Sequence, residues 1–151
     1  MELRRELLPP AVPAARLAES GEEIERIESL LREDREAGRR AVDAFNAATG
    51  HAYEPSDFLY WSAARDLHDF ALEAARPARP RVLDVTRDEL AEIVRRIMHA
   101  DPDTDHYLLV LKANVAHPRA SDLLFHPPAH LADAAPERIV EELQAHRPFA
   151  L

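Results

Sequence analysis

The chain has 151 residues, of which 46% are apolar, with no cysteine and three well-separated glycines (Gly21, Gly38, Gly50). A disulfide framework, a zinc ribbon and thiol catalysis are therefore excluded, as is a glycine-rich loop through which the backbone approaches a phosphate. Asp and Glu total 28 against 19 Lys and Arg, a net charge of -9, which argues against direct nucleic-acid binding and for a basic partner drawn in by its charge.

The acidity is spread along the chain: residues 1–82 hold 12 basic and 16 acidic side chains, and residues 83–151 hold 7 and 12. Leu7 to Ala15 is apolar but is broken by Pro9, Pro10 and Pro13 and is too short to cross a bilayer, so the chain reads as cytoplasmic. Residues 1–20 read as an irregular lead-in. From Glu22 to Ala48, apolar residues recur at Ile24, Ile27, Leu30, Leu31, Ala41, Ala44, Phe45 and Ala48, the spacing of a helical stripe with an Arg/Glu-rich outer face. This is one long helix or two with a break near Gly38, ended by Thr49-Gly50. Ser56 is placed to N-cap a further helix over Asp57 to Ala75. Arg76-Pro77-Ala78-Arg79-Pro80 cannot stay helical and is the best linker in the chain. The organisation expected is an N-terminal helical unit over 1–78 and a C-terminal one over 79–151.

In the second half, Thr86-Arg87-Asp88-Glu89 is a capping box. Leu90, Ile93, Val94, Ile97 and Met98 form one helical face after it. Asp101-Pro102-Asp103 turns the chain into a stripe of Tyr107, Leu108, Leu111 and Val115, closed by His117-Pro118. Ser121 to His126 leaves room for about one and a half helical turns before Pro127-Pro128. Pro136 opens a last helix that buries Ile139, Val140 and Leu143. With no convincing strand, the fold class is all-α.

Two segments can be superposed. Phe45-Asn-Ala-Ala-Thr49-Gly-His51 followed by Ser56-Asp57-Phe58-Leu59-Tyr60-Trp61 parallels Leu111-Lys-Ala-Asn-Val115-Ala-His117 followed by Ser121-Asp122-Leu123-Leu124-Phe125-His126. Each has a helix end, a histidine and a Ser-Asp start to a short helix, so the chain reads as two small helical units, the first a diverged copy of the second.

From Asp84 to Arg147 the sequence resembles the colicin/pyocin nuclease immunity protein family. The residues that carry this are Asp84-Val-Thr86 and Glu89 before the first helix, Ile97 to Asp101 closing it, and the string His117-Pro118-Arg-Ala-Ser121-Asp122-Leu123-Leu124-Phe125-His126-Pro127. Pro136 with Ile139-Val140 is similar to the start of the family's fourth helix. The resemblance implies a distorted four-helix bundle that binds the nuclease domain of a toxin beside its active site, without a cofactor. Carried over by position, Ser121, Asp122, Phe125, His126 and Pro127 become the third-helix contact set, and Asp105, Leu108 and Lys112 fall on the partner-selecting second helix. Phe125 and His126 stand where the family usually has two tyrosines, and His146 where it has a tryptophan. In the N-terminal copy, Ser56, Asp57, Tyr60 and Trp61 are the matching candidates, with core packing as the competing role for the two aromatics.

Catalysis finds little support. Asp101-x-Asp103-x-Asp105 opens like a calcium loop but has His106 where glycine is required and Lys112 where a bidentate carboxylate belongs. No two of the eight histidines have zinc-helix spacing within a helix. His51 and His117 are expected as helix-end caps, and Ser56 and Ser121 as N-caps rather than nucleophiles. The expectation is a non-enzymatic antitoxin against a bacteriocin-type nuclease, with a helical adaptor that keeps the fold without toxin inhibition as the alternative.

Overall fold

The computed structural model describes residues 1–145; His146 and the residues after it lie outside the description. All regular structure among the described residues is helical: α1 (Ala14–Glu33), α2 (Arg35–Thr49), α3 (Pro55–Leu59), α4 (Leu67–Ala75), α5 (Arg87–Met98), α6 (Thr104–Asn114), α7 (Ala120–Phe125) and α8 (Pro136–Ala145). Three single 3-10 turns, at Arg5–Leu7, Trp61–Ala63 and Ala129–Leu131, complete the set. The stretch expected as one helix from Asp57 to Ala75 is thus divided. Its middle is a 3-10 turn followed by Asp66, whose carboxylate caps α4 by accepting from the Asp69 N–H at 2.9 Å.

Two compact units result. One is Pro10–Ala78; the other combines Met1–Pro9 with the chain from Arg79 onward. A division of the sequence at 78 alone therefore misplaces the first nine residues.

In the N-terminal unit, α1 packs on α2, α3 and α4. The break between α1 and α2 falls at Asp34 rather than Gly38: Asp34 is extended, and its side chain accepts from the Ala37 N–H at 3.2 Å. Gly38 serves a different need. A Cβ there would lie 2.6 Å from the Leu31 Cα, so glycine is what lets α2 turn back tightly against the end of α1. Gly38→Ala is expected to destabilise this unit by about 1–3 kcal/mol, because backbone must move to admit the methyl group; a chemical denaturation curve checks it. Gly50 ends α2 in the left-handed region (φ 78°), as its place in the sequence predicts. The core is aromatic. Phe58 and Phe70 are fully buried, and Phe45, Tyr53, Phe58 and Phe70 contact one another with ring centroids 5.2–6.1 Å apart. Tyr53 satisfies its hydroxyl by donating to Glu73 Oε1 at 2.7 Å; burial, and then that carboxylate, push the phenol well above its usual range.

In the C-terminal unit, α5 packs on α6 and α8, and α7 joins α6 to α8. The capping box forms as expected: Glu89 N–H donates to Thr86 Oγ1 at 3.1 Å, and Thr86 N–H to Glu89 Oε1 at 2.9 Å. Glu89 has a second role absent from the sequence reading. It accepts from Arg4 Nε at 2.6 Å and Nη2 at 3.0 Å. The same Arg4 Nη2 reaches the Leu83 and Asp84 carbonyls. Around this clamp Leu3 and Leu7 enter the core with Leu90, Val94, Leu111 and Leu143. The buried His106 ring lies 3.1 Å from the Leu7 carbonyl. Residues 1–9 are a structural part of this bundle, not a lead-in.

Arg4, opposed by burial and helped by the Thr86 hydrogen bonds, holds the Glu89 carboxyl below its ordinary pKa. A carboxyl depressed in the folded state stabilises it above the unfolded-state value, and that contribution is lost as pH falls through the folded-state value. The C-terminal unit should therefore lose stability on acidification below about pH 4.3, and Glu89→Gln should both lower neutral-pH stability and flatten that acid limb in a pH series of melting curves.

Candidate partner-binding surface

The C-terminal candidates lie on α6 and α7. α6 is held against α5 by a buried polar link: Arg96 donates to Glu92 Oε2 at 3.0 Å and to the Tyr107 hydroxyl at 2.8 Å. Burial raises the Glu92 carboxyl, but Arg96, Arg95 and the N-terminal ammonium together outweigh it and leave the group below its ordinary value. With Tyr107, Val110 and Leu111 buried, the opposite flank of α6 turns outward. Asp105 and Lys112 are exposed there, and Leu108, between them, is half-buried against the core.

α7 is short because prolines bracket it at Pro118 and Pro127. It is anchored by Ala120 and Leu123, both buried, while Asp122, Phe125, His126 and Pro127 are exposed and Ser121 is half-buried. Phe125 is 51% exposed, an unusual position for a phenylalanine. Neither Ser-Asp pair caps as the sequence suggested. α7 begins at Ala120 and α3 at Pro55, so Ser121 and Ser56 sit one residue inside their helices, and no serine cap bond forms at either. At α3 the work is done by Asp57, whose carboxylate accepts from the Glu54 N–H at 2.8 Å. Pro55 at the first helical position needs no such partner.

The N-terminal candidates divide. Tyr60 is 65% exposed, and Ser56 and Asp57 are exposed beside it. Trp61 is half-buried, packs on the core, and donates its indole N–H to Glu28 Oε2 at 2.6 Å, which ties the end of α3 to α1. The two histidines expected as helix caps act elsewhere. His51 lies beyond Gly50, stacks on Tyr53, and places Nε2 2.8 Å from the Arg76 carbonyl at the end of α4. His117 lies beyond the end of α6 and accepts the Arg119 N–H on Nδ1 at 3.0 Å. Asp101 closes the turn into α6 by accepting from the Asp103 N–H at 2.8 Å. Among the described residues no group of three or more His, Asp or Glu is placed to hold a metal ion, and no helix is long and apolar enough to cross a membrane.

The sequence reading missed one feature of the N-terminal unit, a cleft beside α3 flanked by Arg32 and Arg35. Its only sequence signal was the run of arginines from Arg32 to Arg40, which had read as an ordinary solvated helix face.

The C-terminal unit thus sets on its surface a short helix with an exposed aromatic, Phe125, and an acidic residue, Asp122. Residues 82–148 match the family model described as colicin immunity protein / pyocin immunity protein, the same region and family that the motif around Ser121 to Pro127 pointed to. Neither a curated protein sequence nor a solved structure gives a significant match.

Proposed function

We propose that this protein is an immunity protein that binds the nuclease domain of a bacteriocin-type toxin and inactivates it, without catalysis or a cofactor of its own. The reading rests on one coincidence: the region matching the immunity family is also the region where Asp122, Phe125, His126 and Pro127 stand exposed on a short helix. Phe125 is the anchor that enters a pocket on the toxin. Asp105 and Asp122 supply negative charge toward a basic nuclease surface, and Leu108 and Lys112 on α6 adjust the choice of partner. Bulk and negative charge at the nuclease active site then exclude its nucleic-acid substrate.

Purified protein is expected to abolish DNA or RNA cleavage by its cognate bacteriocin-type nuclease domain, at a one-to-one ratio. An unaltered cleavage rate with a saturating excess of the protein would overturn the reading. The adaptor alternative draws on the N-terminal unit, Pro10–Ala78, which lies outside the matched region and has exposed candidates of its own.

A further inference from the structure

We propose that the N-terminal unit carries a docking groove of its own, between α1, α2 and α3, which takes an acidic segment of a protein partner. The inference concerns residues outside the immunity match and stands whether or not the C-terminal face binds a toxin.

The two units present the same order of helices: a first helix packed on a second and a fourth, with a short third helix carrying Ser and Asp at its second and third positions. At the end of that short helix each places an exposed aromatic, Phe125 in one and Tyr60 in the other. The charge around the two aromatics differs. α7 itself carries an exposed carboxylate, Asp122. Beside α3 is an open cleft of about 690 Å³ lined by Arg32, Arg35, Pro55, Ser56, Leu59 and Tyr60, with Leu31 beneath, and no carboxylate.

Arg32 is partly engaged, donating to the Leu59 carbonyl at 3.1 Å and lying 3.9 Å from Glu28. That bond fixes the arginine along the cleft wall. Arg35, and Arg39 one turn further along α2, are exposed and make no hydrogen bond or ion pair among the described residues. Two nearby carboxylates are occupied, Glu36 facing Arg40 at 3.6 Å and Asp57 taking the Glu54 N–H, while Asp43 and Glu54 share a neighbouring cleft with Arg39. The groove therefore offers the Arg35 guanidinium, with the partly engaged Arg32 on the same wall and Arg39 a turn further along α2 outside the lining, next to the exposed Tyr60 and an apolar floor, a combination suited to carboxylates that flank an apolar side chain.

A nucleic acid fits less well. Residues 10–78 hold 8 basic and 14 acidic side chains, so a long polyanion would be repelled over most of its length, whereas a short acidic segment meets only the positive rim.

Anisotropy of a labelled synthetic peptide of alternating leucine and glutamate, titrated with the full-length protein, tests this. Trp61, the single tryptophan, follows Tyr60 directly, so its emission reports occupancy of this unit. Saturable binding with a shift in that emission is expected, weakened by at least about tenfold in the Arg35→Glu/Arg39→Glu variant. The neutral Arg35→Gln/Arg39→Gln variant should fall between, with circular dichroism confirming that both remain folded. Absence of saturable binding, binding indifferent to both variants, or tighter binding of a single-stranded oligonucleotide that the variants abolish would each overturn the proposal.

Discussion

Replacing Leu7 with alanine is expected to lower the stability of the C-terminal unit by about 2–5 kcal/mol, the range for truncating a buried leucine to alanine. Leu7 is fully buried and lies in the same core as Leu90, Val94 and Leu143. Its neighbours make collapse of the resulting cavity difficult. The Leu7 carbonyl lies against the buried His106 ring, and Arg4 is clamped to Glu89, so the 3-10 turn at Arg5–Leu7 cannot slide inward freely. Because Trp61 belongs to the N-terminal unit, its fluorescence should report that unit's unfolding, whereas circular dichroism reports all helices. The two denaturation curves should separate in Leu7→Ala, with the circular dichroism transition beginning earlier. If they stay superimposed at the wild-type midpoint, residues 1–9 do not stabilise the bundle.

Phe125→Ala should do the reverse. The side chain is half exposed, so its loss should shift the melting temperature little, while the affinity for the cognate nuclease should fall by at least about thirtyfold, the effect of losing one aromatic hot spot. Leu123→Ala on the same helix supplies the contrast. Leu123 is buried, so its truncation should destabilise the bundle and weaken binding only through the misplacement of α7. Salt separates the remaining contributions. If Asp105 and Asp122 steer the encounter, the association rate should fall as ionic strength rises, and the dissociation rate should change much less. A calorimetric or surface-binding titration in which Phe125→Ala binds as tightly as the wild type would remove α7 from the interface.

How much of this could be read from the amino-acid sequence depended on the range of the interaction involved. Periodicity and local chemistry are encoded within a few residues. Thus the capping box at Thr86 and Glu89, the C-terminal glycine at Gly50 and the proline start of α8 at Pro136 form as the sequence predicts. The N-cap roles expected of Ser56 and Ser121 fall two residues earlier, at Glu54 and Arg119, because a proline or alanine ahead of each serine starts the helix first. Gly38 looked like a helix break because sequence cannot show the Leu31 backbone against it. The role of residues 1–9 was hidden for the same reason: three prolines nearby suggest irregular chain, and only distant residues from Leu83 onward, on α5, α6 and α8 above all, give Leu3, Arg4 and Leu7 their partners. For the candidate surface, the motif identified α7, but exposure of Phe125 and partial burial of Trp61 are properties of the packed bundle. The tryptophan finds Glu28 on a helix that local pattern could not connect to it.

The chain enters one bundle, leaves it to build a second, and then returns to complete the first. On a ribosome the segment bearing Leu3 and Leu7 emerges before Pro10–Ala78, yet the surfaces that cover those leucines are translated only after Arg79. The unit over Pro10–Ala78 has all its own partners in hand before then and is free to fold at once. Until α5, α6 and α8 arrive, the two leucines lack the side chains that cover them, so this bundle can close only after the whole intervening unit has been made.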